Sequence, residues 1–541
     1  MRDLHQRFLK MHGKPYGVYK SLQGQYFGFG DFTLKWTHIQ GDPHAQSSRI
    51  MLTAKMLSLG FPEDLFDNQE KEIALADFLL RQFTENAENI SIVKARSQIM
   101  QRNSLYIKNG TVHILASVNL PGENRRIEGD KASELLIGTL SDWVTTVMYW
   151  NNLPKEKCKA HMECLANRNF LLSQLSEKNL AAFVPNGAIL PRASGTSEMP
   201  LQNAVPFVSP PELLVNLNLP NGQSIAGMGV PKGITIIAGG GFHGKSTFLH
   251  ALEEAVYPHI PDDGREFIVI DKSATPVKTE EGRVVNGTNI SQLVRELPLK
   301  GSTENFTTKN ASGATSQAAN LLEALELGAR TVLIDEDASA VNFLIRDLRM
   351  RELIGSNREP LIPLTDRIRE FAEHGINFII VVGACGDYLG LADTVIAFTE
   401  YKAECLTEKA KNIATARLPL QSPQTNAPLQ YPLTPRAFST KILQPGLQPG
   451  SSVEKTVKIR AVAGQLSIGK LKSDLRKFPT FCHQELQRGI AEILHNFIKE
   501  GNDGNLRDLE LLCKELPENE TTDLALPRVM ELGAAFLRVT S

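Results

Sequence analysis

The sequence has no run of about 18 apolar residues, the length a helix needs to cross a bilayer, so no membrane-spanning helix is expected. Its first residues, "MRDLHQRFLKMHG", lack the apolar core of a secretory signal. Cysteine is scarce, with six in 541 residues (Cys158, Cys164, Cys385, Cys405, Cys482 and Cys513). None forms a CxxC pair or a zinc-like spacing, and a reduced, cytoplasmic protein is the simplest reading. Excess charge of either sign is also missing, with 58 basic residues against 60 acidic. A wholly basic surface for nucleic acid is therefore excluded, and any such patch must be local. No internal repeat with a period of about 20–50 residues is visible, which argues against a solenoid.

The chain contains several kinds of segment. Its 42% hydrophobic content is that of an ordinary globular protein, and its length suggests about three domains. Residues 1–205 mix patterns. "YGVYKSLQGQYFGFGDFTLKWTHI" alternates as antiparallel strands do, while "KEIALADFLLRQFTENA" and "KASELLIGTLSDWVTTVMYW" have helical spacing. Over 206–417, the short apolar runs "GITIIAGG", "EFIVI", "TVLIDE", "NFIIVVGA" and "TVIAF" alternate with helical stretches, predicting an α/β domain with a largely parallel sheet. Seven prolines (419, 423, 428, 432, 435, 445 and 449) mark 418–450 as a linker or surface loop. Residues 451–541 read as strands followed by helices, a smaller α+β domain.

The chemistry begins at "GGGFHGKS", which fits GxxxxGK[ST] between the strand "ITIIA" and a helix. Glycines let backbone N–H groups turn toward phosphate oxygens, and the helix N-terminus adds positive potential. The predicted nucleotide-binding residues are Gly239, Gly240, Gly241, Phe242, His243, Gly244, Lys245, Ser246 and Thr247. Lys245 would reach the β- and γ-phosphates of ATP, and Ser246 would ligate Mg²⁺. Asp335 ends the apolar run "TVLIDE" 90 residues after Lys245, as a Walker B carboxylate holding Mg²⁺ would. Glu336 would polarise the attacking water as general base.

Between these motifs lies "NASGATSQ", a strip of small residues opening the helical "AANLLEALELGA". An ordinary N-cap is one reading. With both Walker motifs present, the strip resembles the LSGGQ signature of ABC-class ATPases, with Ser312 and Gly313 at the S-G positions. In that class the signature faces the γ-phosphate held by a second subunit. One Walker A and one signature per chain thus imply a head-to-tail homodimer enclosing two ATP molecules. Ser339 and Asn342, in the following "DASAVN", would contact the partner. The next strand leads into Gly383, Ala384, Cys385 and Gly386 where transporter cassettes carry a switch histidine. Asp387 and Tyr388 are the polar substitutes nearby. Gln292 is a candidate for the Q-loop glutamine, and Phe207 for adenine stacking or for the core.

The chain as a whole resembles the soluble predicted ATPases of the ABC class, a family that includes an RNA-editing-associated ATPase of trypanosome mitochondria. The resemblance covers most of residues 1–400 and rests on "QGDPHAQSSRI", "AAFVPNGAILPRASG", "GGGFHGKST", "YPHIPDDGRE", "NASGATSQAAN", "LIDEDASAVNFLIRDLRM", "EPLIPL" and "GACGDY". "KTEEGR" has glutamate where the family tends to aspartate, and the match thins beyond residue 420. It implies a central ABC-type P-loop domain, flanked by an α+β N-terminal and a smaller α+β C-terminal domain, working as a homodimer.

Residues 436–477 carry nine basic residues (Arg436, Lys441, Lys455, Lys458, Arg460, Lys470, Lys472, Arg476 and Lys477) against Glu454 and Asp474. Such a stripe would track an RNA or DNA backbone, or would be a solvated strand face. In the N-terminal region, Asp42, Arg49, Arg125, Arg126 and Arg192 fall in polar loops. Asp42-Pro43 reads as a tight turn, and Arg49 stays open between structure and ligand contact. The favoured function is an ATPase whose closure binds or remodels nucleic acid. The alternative is an ATP-dependent dimerisation switch acting on a protein partner, with slow or negligible hydrolysis. A transporter subunit is disfavoured, with no membrane span fused to it.

Overall fold

The structure, a computed structural model, describes residues 1–83, 89–295, 297, 301–355, 358–416, 428–447, 457–476, 478 and 483–540. It contains two compact units: Met1–Ala166 together with Glu515–Leu526, and Asn167–Lys514 together with Pro527–Ser541. The first boundary falls well before residue 205. The Pro-rich segment lies outside the described residues over 417–427 and 448–456, as do Lys455 and Lys477.

The first unit is built on an antiparallel sheet in the order Tyr26–Phe29, Phe32–His38, Ser48–Lys55, Thr111–Val118 and Ile90–Ser91, with Leu105–Lys108 also paired to Thr111–Val118. The expected alternation is present: Phe27, Phe29, Phe32, Leu34 and Trp36 are buried, while Tyr26, Gly28 and Thr33 face out. Period-2 side chains give such a sheet one core face. A buried charge cluster braces it. Asp77, in the helix Gln69–Gln82, pairs with Arg81 (2.6 Å), Arg102 (2.6 Å) and His161 (3.1 Å). Burial alone would raise the Asp77 pKa, but Arg81, His161 and Arg102 outweigh it and hold the carboxyl well below its usual range.

The segment 515–526 belongs to this unit through specific bonds. Asp523 receives both guanidinium nitrogens of Arg49 (3.2 and 2.7 Å), and Asn103 donates to the carbonyls of Asn519 and Thr522 (2.8 Å each). Arg49 is therefore a structural ion-pair partner. Asp42 accepts the His44 N–H at 3.0 Å, the turn read from the sequence.

The second unit holds a six-stranded sheet in the order Thr275–Pro276, Thr331–Asp335, Asn377–Val381, Ile234–Ala238, Thr394–Thr399 and Lys402–Cys405. All neighbours run parallel except the last pair. Successive residues feed different cores. Ile236, Val332, Ile334, Phe378 and Ile380 face one, and Ile237, Leu333, Ile379, Val381 and Phe398 the other. Both faces are covered, so the strands read as continuous apolar runs. The run "EFIVI" departs from expectation. Its Val269–Ile270 joins a separate antiparallel sheet, beside Leu180–Pro185 in the order Leu214–Asn218, Ser224–Pro231, Leu180–Pro185, Val269–Ile270. An apolar run reports burial and leaves the choice of sheet to tertiary pairing. Toward the C-terminus, Ile459–Val462, Gln465–Ile468 and Leu471–Asp474 form an antiparallel sheet backed by the helix Gln484–Glu500.

Candidate functional site

The strand Ile234–Ala238 is central in the parallel sheet, and residues 239–244 carry its end into the helix Lys245–Glu254. Gly239 must be glycine. Its φ is +136°, and a Cβ built there would come within 2.4 Å of the Phe398 carbonyl oxygen. Gly244, at φ +100°, caps the helix. Gly240, Gly241 and Phe242 are exposed, and Phe242 is fully so at φ +63°. His243 lays its ring beside Gly240 of the loop and accepts the Glu400 N–H on Nδ1 at 2.9 Å. Lys245 donates to the Gly240 carbonyl at 2.6 Å, so its ammonium lies within the loop it would share with phosphate. Ser246 and Thr247 sit half-buried in the first turn of the helix.

Asp335 ends the strand Thr331–Asp335, which is separated from the P-loop strand by Asn377–Val381 alone. Its Oδ1 accepts the Asp337 N–H at 3.2 Å. The parallel order puts the P-loop and both carboxylates at the same C-terminal edge of the sheet, the usual place for a ligand in open α/β sheets. Glu336 is fixed from an unexpected direction. Its Oε2 accepts the N–H groups of Gly383 (2.5 Å) and Ala384 (3.0 Å), the segment with no histidine. Tyr388 is not a substitute for that histidine: it is fully buried and donates to the Leu344 carbonyl at 3.0 Å. Asp387 is exposed.

The strip "NASGATSQ" opens the helix Gly313–Glu326. Ser312 stands at its N-cap, exposed, and its hydroxyl meets Thr315 Oγ1 at 2.9 Å without bonding a backbone N–H of the helix. Gly313 lies against Thr279 and Ala340. The buried Gln317 ties the strip to the loop beyond Glu336, donating to Ser339 Oγ and accepting the Ala340 N–H, both at 2.8 Å. The Ser339 hydroxyl also donates to the Asp335 carbonyl at 2.7 Å, so its bonds are made within the chain; Asn342 is exposed.

Other sequence candidates lie elsewhere. Phe207 is buried against Phe248 and is core. Gln292 is buried and accepts the Gln430 N–H at 3.1 Å. Arg192 pairs with Asp263 at 2.7 Å, and Arg126 donates to the Gly13 carbonyl. The roles of Gln317, Gly383 and Ala384 carried no separable signal, since buried glutamines and backbone amides look ordinary in a sequence.

The donors suit a magnesium nucleotide. Among the described residues no group of three or more His, Cys, Asp or Glu could hold a metal. Ser246 and Asp335 offer one hydroxyl and one carboxylate, the sparse protein contribution Mg²⁺ takes when phosphates and waters complete its shell.

Fold and site together define a P-loop nucleotide-binding protein with a Walker B pair at the end of a neighbouring strand. Two family models match the chain. One for the N-terminal domain of ATPases of the ABC class matches residues 1–151, and one for the P-loop domain of ABC ATPases matches 154–431. The chain belongs to the ATPases of the ABC class. An uncharacterized protein of Methanocaldococcus jannaschii is 30% identical over 252 residues, 45% of this chain and 55% of that protein, so the chain spans about half the length of this relative. Similar solved structures include an ATP-binding cassette of an ABC transporter in its ADP conformation (14% identity, TM-score 0.24, 37% of this chain and 92% of that one). Another is cbiO1 from Clostridium perfringens, part of an ABC transporter complex (15% identity, TM-score 0.21, 35% and 86%). No helix among the described residues is long and apolar enough to cross a membrane.

Proposed function

We propose that the chain binds and hydrolyses Mg-ATP as a cytoplasmic head-to-tail homodimer, and that closure of the dimer is coupled to binding or remodelling of nucleic acid, RNA first. The observation that carries the dimer is the strand order. The signature residue Gly313 rests on Thr279, just past the edge strand Thr275–Pro276, whereas the P-loop follows a strand three places further in. At about 4.8 Å per strand, those two strands stand roughly 14 Å apart. Ser312 therefore has its most direct use on a nucleotide held by a second copy. Exposed Val341, directly before Asn342, gives that face an apolar contact.

In the hydrolytic step, Lys245 and the 239–244 amides would hold the β- and γ-phosphates, and Ser246 and Asp335 would hold Mg²⁺, whose charge would offset that of the phosphates. Glu336 takes the proton of the attacking water, oriented by the Gly383 and Ala384 amides.

The nucleic-acid reading draws on the C-terminal sheet. Arg460, Ser467 and Lys472 lie in register across its three strands, and both basic side chains are exposed. Arg436 does not join them, because it is spent on Glu326 at 2.6 Å. Lys441 and Arg476 pair with Asp503 and Asp474. The second reading, a slow switch acting on a protein, draws on the sequence Gly383-Ala384-Cys385-Gly386, which holds no histidine. ATPase assays and dimer sizing with RNA, single-stranded DNA, duplex DNA or no nucleic acid, across a salt series, test both. Stimulation or binding that weakens steeply with salt supports the first reading. ATP-dependent dimers indifferent to every nucleic acid support the second.

A further inference from the structure

We propose that Tyr401 is the face on which the nucleotide base lies, an inference that rests on the nucleotide reading of the P-loop and adds the subsite that reading lacks. Residues Glu400 and Tyr401 form the two-residue turn between Thr394–Thr399 and Lys402–Cys405, closed by the Thr399–Lys402 pair. Both have positive φ, +49° and +67°. Such hairpin turns favour Asn and Gly, so turn propensity does not explain a tyrosine here. Nor does burial, because Tyr401 is 56% exposed.

The turn is registered against the P-loop at three points. The Glu400 N–H donates to His243 Nδ1 at 2.9 Å. Gly239 packs on the Phe398 carbonyl, where a Cβ would come within 2.4 Å. A Cβ on Gly244 would come within 3.2 Å of Tyr401 Cδ1. The exposed ring thus stands next to the residue that opens the phosphate-binding helix, within reach of a base joined through ribose to phosphates held there. His243 acquires a role as well. It holds the turn, and so the ring, at fixed height over the loop. A stacked ring grips any base face and does not distinguish adenine from guanine. Tyr401 therefore supplies affinity for a nucleobase without choosing it.

The test uses the full chain with Mg²⁺ and compares affinities for ATP, GTP and inorganic tripolyphosphate by calorimetry. Tyr401→Ala should weaken ATP and GTP by about tenfold and leave tripolyphosphate unchanged. Tyr401→Phe should restore both nucleotides. In Tyr401→Trp, ATP but not tripolyphosphate should quench the new fluorescence. Unchanged ATP affinity in Tyr401→Ala overturns the proposal. So does an equal loss of tripolyphosphate affinity, which would make Tyr401 a support for the loop. Lys245→Ala separates the two levels. If ATP affinity is indifferent to it, the nucleotide reading itself fails; if it falls while Tyr401→Ala is silent, only the base subsite fails.

Discussion

Glu336 and Gly383 are joined by a 2.5 Å hydrogen bond from the Gly383 amide to the Glu336 carboxylate, and the Ala384 amide shares the same oxygen at 3.0 Å. Two backbone donors on one oxygen fix the orientation of the carboxylate and leave Oε1 for a water. The segment that lacks a switch histidine thus still serves the site, through its main chain. Glu336→Gln keeps the shape and an acceptor oxygen but cannot take a proton. Turnover should fall by about a hundredfold or more while ATP affinity stays within about twofold. The variant should accumulate as an ATP-bound dimer, measured by light scattering after gel filtration. A variant that stays monomeric with ATP at micromolar protein would sink the head-to-tail arrangement.

Ser312→Arg places a long cation at the exposed N-cap of the helix Gly313–Glu326. Ser312 caps no backbone group of that helix, so the fold should lose little. ATP binding to the monomer should persist, while ATP-dependent dimerisation and turnover disappear. Loss of monomer binding instead would return the strip to a purely structural role.

The paired substitution Arg460→Glu/Lys472→Glu reverses two exposed charges that lie in register on the C-terminal sheet. Oligonucleotide affinity should drop, and the slope of log affinity against log salt should shrink by about two. Arg436→Ala should behave differently. It removes the half-buried partner of the buried Glu326 and should lower the unfolding midpoint in urea. Equal oligonucleotide affinity in the paired variant and the parent would leave the protein-switch reading.

Asp77 sets an acid limit on the N-terminal unit. Its folded pKa is depressed below the unfolded value of about 3.9, so its contribution is fully present above about pH 4 and is lost as pH falls toward the folded value. Asp77→Asn should cost about 3–5 kcal/mol at pH 7, because Arg81 and Arg102 are left without their buried counter-charge. Below about pH 4 the stability gap between variant and parent should narrow. Urea unfolding at pH 7 and pH 3.5 measures both.

Local chemistry was legible in short stretches of the chain. The Walker A loop, the acids ending an apolar strand and the alternation in Phe27, Phe29, Phe32, Leu34 and Trp36 are set by neighbours a few residues away, where spacing fixes geometry. Pairings between residues far apart in the chain came from folding. It sent Val269–Ile270 to an antiparallel sheet, joined Arg49 to Asp523, moved Arg436 out of the basic stripe, and put Gly383 and Ala384 on Glu336 and the Glu400–Tyr401 turn on the P-loop. An apolar strand or a buried charge specifies only that it must be covered or paired. Which of many chemically equivalent partners does so is settled by chain topology, through contacts that no short window of sequence contains.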